Sequence, residues 1–201
     1  MPSNPAPATI RVILIGGSSH AGKSSAGRIV AERLGWELAP TDGMARHPGR
    51  PWPHPDWPVP PHVIAHYEAL SPVELADAQM AHYQRLWPHI EAMIRERVSG
   101  PGLVIEGSGV LPARVAELSL PQVRAAWITA LPSVVAARIH RTSAFETLDD
   151  RTQRRVEAFI ARSELFDRQV IAEARRLGLL VLDSGDDAPE PIADAILARC
   201  V

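Results

Sequence analysis

The stretch that most limits what this chain can fold into is residues 9–34, TIRVILIGGSSHAGKSSAGRIVAERL. Residues 10–15 are a mostly apolar run rich in β-branched side chains, the composition of a buried strand. The run breaks at Gly16 and Gly17 and passes through Ser18, Ser19, His20 and Ala21 to Gly22, Lys23, Ser24 and Ser25. A helical pattern follows at once, with Ile29, Val30 and Leu34 on one face. Gly17, Gly22, Lys23 and Ser24 therefore satisfy G-x-x-x-x-G-K-[ST] in the strand–loop–helix setting of a phosphate-binding loop. Glycines let the backbone curl so that successive N–H groups point at phosphate oxygens, and the helix N-terminus adds its positive dipole end. In such a loop the lysine neutralises the β- and γ-phosphates and the serine hydroxyl ligates Mg²⁺. Lys23 is the only lysine in the chain, and arginine supplies positive charge everywhere else. A compact ammonium thus stands at the one motif position that calls for it. Residues Gly17 to Ser25 are the expected nucleotide cradle.

The 201 residues suffice for one sizeable α/β domain. A formal charge of −2 gives no global basic field, so no nucleic-acid partner is expected. The single cysteine, Cys200, rules out an intramolecular disulfide and a cysteine-based zinc site, and it suits a reducing cytoplasm. No apolar run approaches the roughly 18 residues of a membrane span, so no membrane partner is expected either. Residues 1–8 lack the features of a signal peptide and read as a disordered lead-in. Oligomeric state is left between monomer and homodimer.

Beyond the first helix, residues 36–39 read as a second strand ending near Thr41 and Asp42. Residues 43–61 contain RHPGRPWPHPDWPVPP, whose proline density forbids a regular helix or a central strand. A loop this long, carrying two tryptophans, reads as a functional lid or substrate loop rather than a disordered linker. Helix is expected at 62–70. Ser71-Pro72-Val73-Glu74 is a capping box opening a helix to about residue 98, bent at Pro88. A third strand at 103–105 ends in Glu106. A short helix at 112–118, a strand at 123–129, a helix at 132–140, a long helix at 149–177, a strand at 179–182 and a helix at 189–199 complete the series. Strands alternating with helices predict a parallel sheet covered on both faces, with ligands bound beyond the strands' carboxyl ends.

That rule singles out the phosphate loop, Asp42, Glu106 and Asp183. Asp42 is placed to accept the proton of an attacking hydroxyl, its alternative being an Asp-Gly turn residue. Glu106, at the end of an apolar strand, suits Mg²⁺ or a substrate hydroxyl, its alternative being a cap on the next turn. The two carboxylates could exchange these roles. Arg138, Arg141, Arg151, Arg154 and Arg155 surround the 140s loop, and Arg138 and Arg141 are the better placed to stabilise charge on a transferring phosphoryl group. Arg46 and Arg50 are candidates for clamping an anionic or polyhydroxyl substrate. Trp52, Trp57, Tyr67 and Tyr83 can either stack on a substrate or pack the proline-rich loop onto the helices. His62 and His66, four apart, lack a third ligand for a metal.

These residues resemble the phosphate-loop small-molecule kinases. GGSSHAGKSS is similar to the opening of chloramphenicol phosphotransferase-like kinases. Asp42 after the second strand and Ile105-Glu106-Gly107 after the third resemble uridine kinase and nicotinamide riboside kinase. The short chain with an arginine-bearing lid resembles gluconate and shikimate kinases. The resemblance implies a three-layer α/β fold with a five-stranded parallel sheet of order 2-3-1-4-5, ATP and Mg²⁺, and a small-molecule hydroxyl as acceptor. It divides residues 9–201, a single domain, into a scaffold, a substrate-binding insertion at 43–100 and a lid at about 138–155. It also lets the backbone of residues 184–186 contact adenine. The Pro/Trp/His segment matches none of these families, so acceptor identity does not carry over. A guanine-reading N-K-x-D is impossible, because the only asparagine is Asn4 and the only lysine is Lys23. The competing expectation is a regulatory module that binds ATP without transferring phosphate.

Overall fold

The computed structural model describes residues 9–44, 49–54, 56–185 and 188–201. The lead-in, Arg46 and Asp186 lie outside the described residues. Strand β1 (Val12–Gly17) is central, flanked in parallel by β3 (Leu103–Glu106) and β4 (Val123–Thr129). The edges are β2 (Glu37–Pro40) and β5 (Leu180–Asp183), giving the order β2-β3-β1-β4-β5. This is the parallel sheet the alternating pattern predicts, in the order the resemblance implies.

The centre falls on β1 because it can be buried on both faces. Side chains alternate along a strand. Val12 and Leu14 therefore enter one core with Leu103, Ile105 and Trp127, while Ile13 and Ile15 enter the other with Val104, Ala126 and Ile128. All four β1 side chains are fully buried, each worth roughly 1.5–3 kcal/mol relative to exposure. Helices α1 (Lys23–Leu34) and α7 (Glu190–Cys200) close the second core. Helices α3 (Pro72–Arg97), α4 (Pro112–Glu117) and α6 (Asp150–Arg176) close the first. Helices α2 (Pro61–Ala69) and α5 (Pro132–Ser143) pack on the N-terminal half of α6 in a third cluster that includes Trp52.

The helix starts follow local chemistry. At α3 the Ser71 hydroxyl accepts from the Glu74 amide at 3.4 Å, and the Glu74 carboxylate accepts from the Ser71 amide at 2.8 Å, closing the expected box. Helix α3 runs unbroken through Pro88, where burial of Leu86, Trp87 and Ile90 outweighs the lost backbone bond. Its Leu86, Trp87, Ile90 and Ile94 lie in the core with β1 and β3, so much of 43–100 covers the sheet.

One expectation is corrected: α5 does not stop at His140 but runs to Ser143, and a 3-10 turn follows at Phe145–Thr147. The hydroxyls of Thr142 and Ser143 donate to the carbonyls of Arg138 and His140, which satisfies them inside the helix. Ala144, at φ 53°, ends it. Among the described residues no helix is long and apolar enough to cross a membrane.

Candidate active site

The phosphate loop joins β1 to α1 at the carboxyl end of the sheet. Gly17 sits at φ 134°, where a Cβ would stand 2.1 Å from the Ile128 carbonyl oxygen, so only glycine fits. Gly22, at φ 102°, caps α1 without any side-chain hydrogen bond to its first turn. Its leading amides are thus held by no side-chain cap, as an anion site requires. Lys23 is buried, and its ammonium donates to the Ser18 carbonyl. Burial pushes its pKa down, while Asp42, Glu106 and Asp167 pull it back up. It makes no ion pair among the described residues, so its charge is available to phosphate.

Glu106, buried at the end of β3, accepts a hydrogen bond from the Ser24 hydroxyl at 3.1 Å. Burial pushes its pKa up; Lys23 and Ser24 oppose that. Hydroxyl and carboxylate in contact at the helix start fit Mg²⁺, which takes one or two protein ligands and completes its shell with water and phosphate. Among the described residues no group of three or more His, Cys, Asp or Glu forms a cage for a metal. That count includes the His62–His66 pair.

Asp42 lies in the 3-10 turn Thr41–Gly43 that follows β2, with its side chain exposed. The turn is anchored by buried Thr41, whose hydroxyl accepts from the Gly109 amide at 3.4 Å. Asp42 follows β2 at the same carboxyl end of the sheet as the phosphate loop and Glu106, and its charge acts on Lys23, Glu106 and Tyr83.

Arg138 is tied to the phosphate loop and to the turn after β5. It donates to the His20 carbonyl at 3.0 Å, to the Ser184 hydroxyl at 3.3 Å and to the Gly185 carbonyl at 2.9 Å. Arg141, one turn on, is exposed and its side chain has no hydrogen bond or ion pair among the described residues. Arg151 and Arg155 both pair with Glu68, pinning the start of α6 to α2. Trp52 is buried, edge-to-face on Phe159 with centroids 4.9 Å apart, and Arg50 lies 5.9 Å above its ring. Tyr67 and Tyr83 are buried too, whereas Trp57 is exposed and stacked on His54 at 3.8 Å.

Sequence reasoning missed two residues of α6. Asp167 accepts from the Thr129 hydroxyl at 2.7 Å beside Ser18, and burial raises its pKa. Arg162 is buried between Tyr67 and Phe159. A signal for Arg162 was present: with Val156, Phe159, Ser163 and Phe166 it occupies the buried stripe at helical spacing.

His20, at φ 60°, is the loop's electrostatic oddity. Its Nδ1 meets the Ser19 hydroxyl at 2.9 Å. Burial first, then Arg50, Lys23, Arg138 and Arg162, lower its pKa to about 4. The unfolded chain protonates this ring near the ordinary value of 6.5, so between those values the unfolded state binds more protons. Stability is therefore lost as pH falls from about 6.5 towards 4, by on the order of 2–3 kcal/mol. Urea melts of nucleotide-free protein at about pH 7 and about pH 4.5 should show this loss, and His20→Asn should remove that share of it. Equal losses in both proteins would contradict the assignment.

No family model and no curated protein matches the chain. Solved structures do. It is similar to a gluconokinase from Sinorhizobium meliloti 1021 with 17% identity and a TM-score of 0.53, covering 96% of this chain and 90% of that one. A shikimate kinase from Acinetobacter baumannii, in complex with shikimate, matches at 16% identity and TM-score 0.50 over 94% and 92% of the two chains. Thymidylate kinase from Candida albicans matches at 11% and 0.50 over 94% and 90%. The fold is thus that of the P-loop small-molecule kinases.

Proposed function

We propose that this chain is an ATP-dependent kinase that moves the γ-phosphoryl group onto a hydroxyl of a small molecule. The observation that carries the reading is the convergence of Lys23, Ser24, Glu106 and Asp42 at the carboxyl ends of three adjacent strands.

In this reading the amides of residues 17–25 hold the triphosphate, and Lys23 neutralises charge on its β- and γ-oxygens. Ser24 and Glu106 would hold Mg²⁺, which would shield phosphate charge in the transition state. Asp42 orients the acceptor and takes its hydroxyl proton as the new O–P bond forms and the bond to the β-phosphate oxygen breaks. ADP leaves with the electron pair, and Asp42 returns the proton to solvent. Arg138 donates to carbonyls on both sides of the nucleotide end, the loop's own and that after β5, so it closes the cradle. The similarity to kinases with small acceptors supports a small-molecule substrate, and the segment 43–61 with α2 is the proposed acceptor-binding part.

The test is a screen of hydroxyl-bearing metabolites for acceptor-dependent ADP release, with Lys23→Ala as the blank. Tight ATP binding with no acceptor turned over would favour the regulatory module instead. Glu106→Gln keeps an oxygen for the Ser24 hydroxyl but loses the charge. Its half-saturating Mg²⁺ concentration for ADP release is expected to rise ~10- to 100-fold, the scale on which supporting ligands alter metal affinity. An unchanged Mg²⁺ dependence would remove Glu106 from the metal.

A further inference from the structure

Arg162 is 3% exposed, yet no carboxylate pairs with it among the described residues. One of its terminal nitrogens donates to the Tyr67 hydroxyl at 2.9 Å, the other reaches the Ser163 hydroxyl at 3.5 Å, and its Nε has no partner. Its planar head lies 4.2 Å over the Phe159 ring. Aromatic faces and neutral hydroxyls offset only part of the cost of removing a full charge from water. Buried arginines are ordinarily paired, so this one is set up for a charge that none of the described residues supplies.

Its position says where that charge comes from. Arg50, Lys23, Arg138 and Arg162 all bear on His20 of the phosphate loop, whose ring centroid lies 6.3 Å from those of both Trp52 and Phe159. Lys23 and Arg138 are committed to the nucleotide end. Arg50, exposed over Trp52, and Arg162, under the same Trp52–Phe159 pair, remain. Asp42 follows β2 and the phosphate loop follows β1, so the proposed base and this loop share the carboxyl end of the sheet.

We infer that the acceptor is an anion, bearing a carboxylate or a phosphate monoester, and that Arg162 and Arg50 receive that group beside the Tyr67 hydroxyl while Asp42 addresses its hydroxyl. The inference rests on the phosphotransfer reading. It narrows the acceptor to hydroxy acids and phosphorylated alcohols over neutral polyols and nucleosides. A planar guanidinium whose Nε is unpartnered and whose second terminal nitrogen is held only by a 3.5 Å contact has donors left for either oxyanion.

Matched probes test it: glycerol, glycerate and glycerol 3-phosphate, and glucitol, gluconate and glucitol 6-phosphate, each assayed for ADP release. At least one anionic member should exceed its neutral counterpart in kcat/KM by ~100-fold or more, and which member does so identifies carboxylate or phosphate. Arg162→Met should cut that preference at least ~10-fold, chiefly through KM, and Arg162→Lys should restore part of it. Arg50→Gln, at an exposed position, should lower the same ratio and carries the test should Arg162→Met not fold. Equal use of neutral and anionic members, or a preference kept in the variants, overturns the inference. Where no probe is phosphorylated, thermal melts decide. Saturable stabilisation of the wild type by the anionic probes, lost in Arg50→Gln, keeps the anion site and sinks the kinase reading; no stabilisation sinks the site.

Discussion

Lys23→Ala is expected to abolish ATP turnover, by at least ~10³-fold, in a chain that still folds. Both halves follow from where the ammonium sits. It is buried beneath the loop and, among the described residues, bonded only to the Ser18 carbonyl, while Asp42, Glu106 and Asp167 act on it from a distance. Burial already works against its charged form, so the nucleotide-free protein gains little stability from it. Arg138 does not deputise, because it approaches the loop at the His20 carbonyl. The checks are ADP release and a thermal melt on the same preparation. Turnover that survives in a folded variant would place the chemistry elsewhere.

Asp42→Asn is expected to leave nucleotide affinity close to wild type and to slow transfer at least ~10²-fold, the scale of losing a general base. The side chain is exposed on its 3-10 turn, and Thr41, not Asp42, anchors that turn through Gly109. The amide therefore fits without disturbing the fold, and the change isolates proton acceptance. Single-turnover kinetics with saturating acceptor separate this from binding. A wild-type transfer rate would reduce Asp42 to a turn residue.

The phosphate loop was legible because its chemistry is local: glycines, lysine and serine stand within a few positions and need no tertiary information. The strands were legible for a related reason, since a parallel strand covered on both faces is a continuous apolar run, as in Val12-Ile13-Leu14-Ile15. Capping residues fixed the start of α3. The strand order came through resemblance, because no run of residues records its neighbour. What stayed hidden depended on helix packing. The chain holds twenty arginines, and only the Phe159–Tyr67 contact shows that Arg162 points inward while Arg151 and Arg155 turn to Glu68. Trp52 left two readings open, and the structure packs it into the third cluster. Asp167 had no motif at all; it matters only because α6 passes β4 beside Thr129.

Amide hydrogen exchange with and without ATP and Mg²⁺ tests the grip on the triphosphate most directly, since it reads the loop's own N–H groups. Nucleotide should slow exchange across residues 17–25, and Lys23→Ala should erase that protection. Unchanged exchange there, or protection confined to another part of the chain, would contradict a phosphate-binding role for this loop.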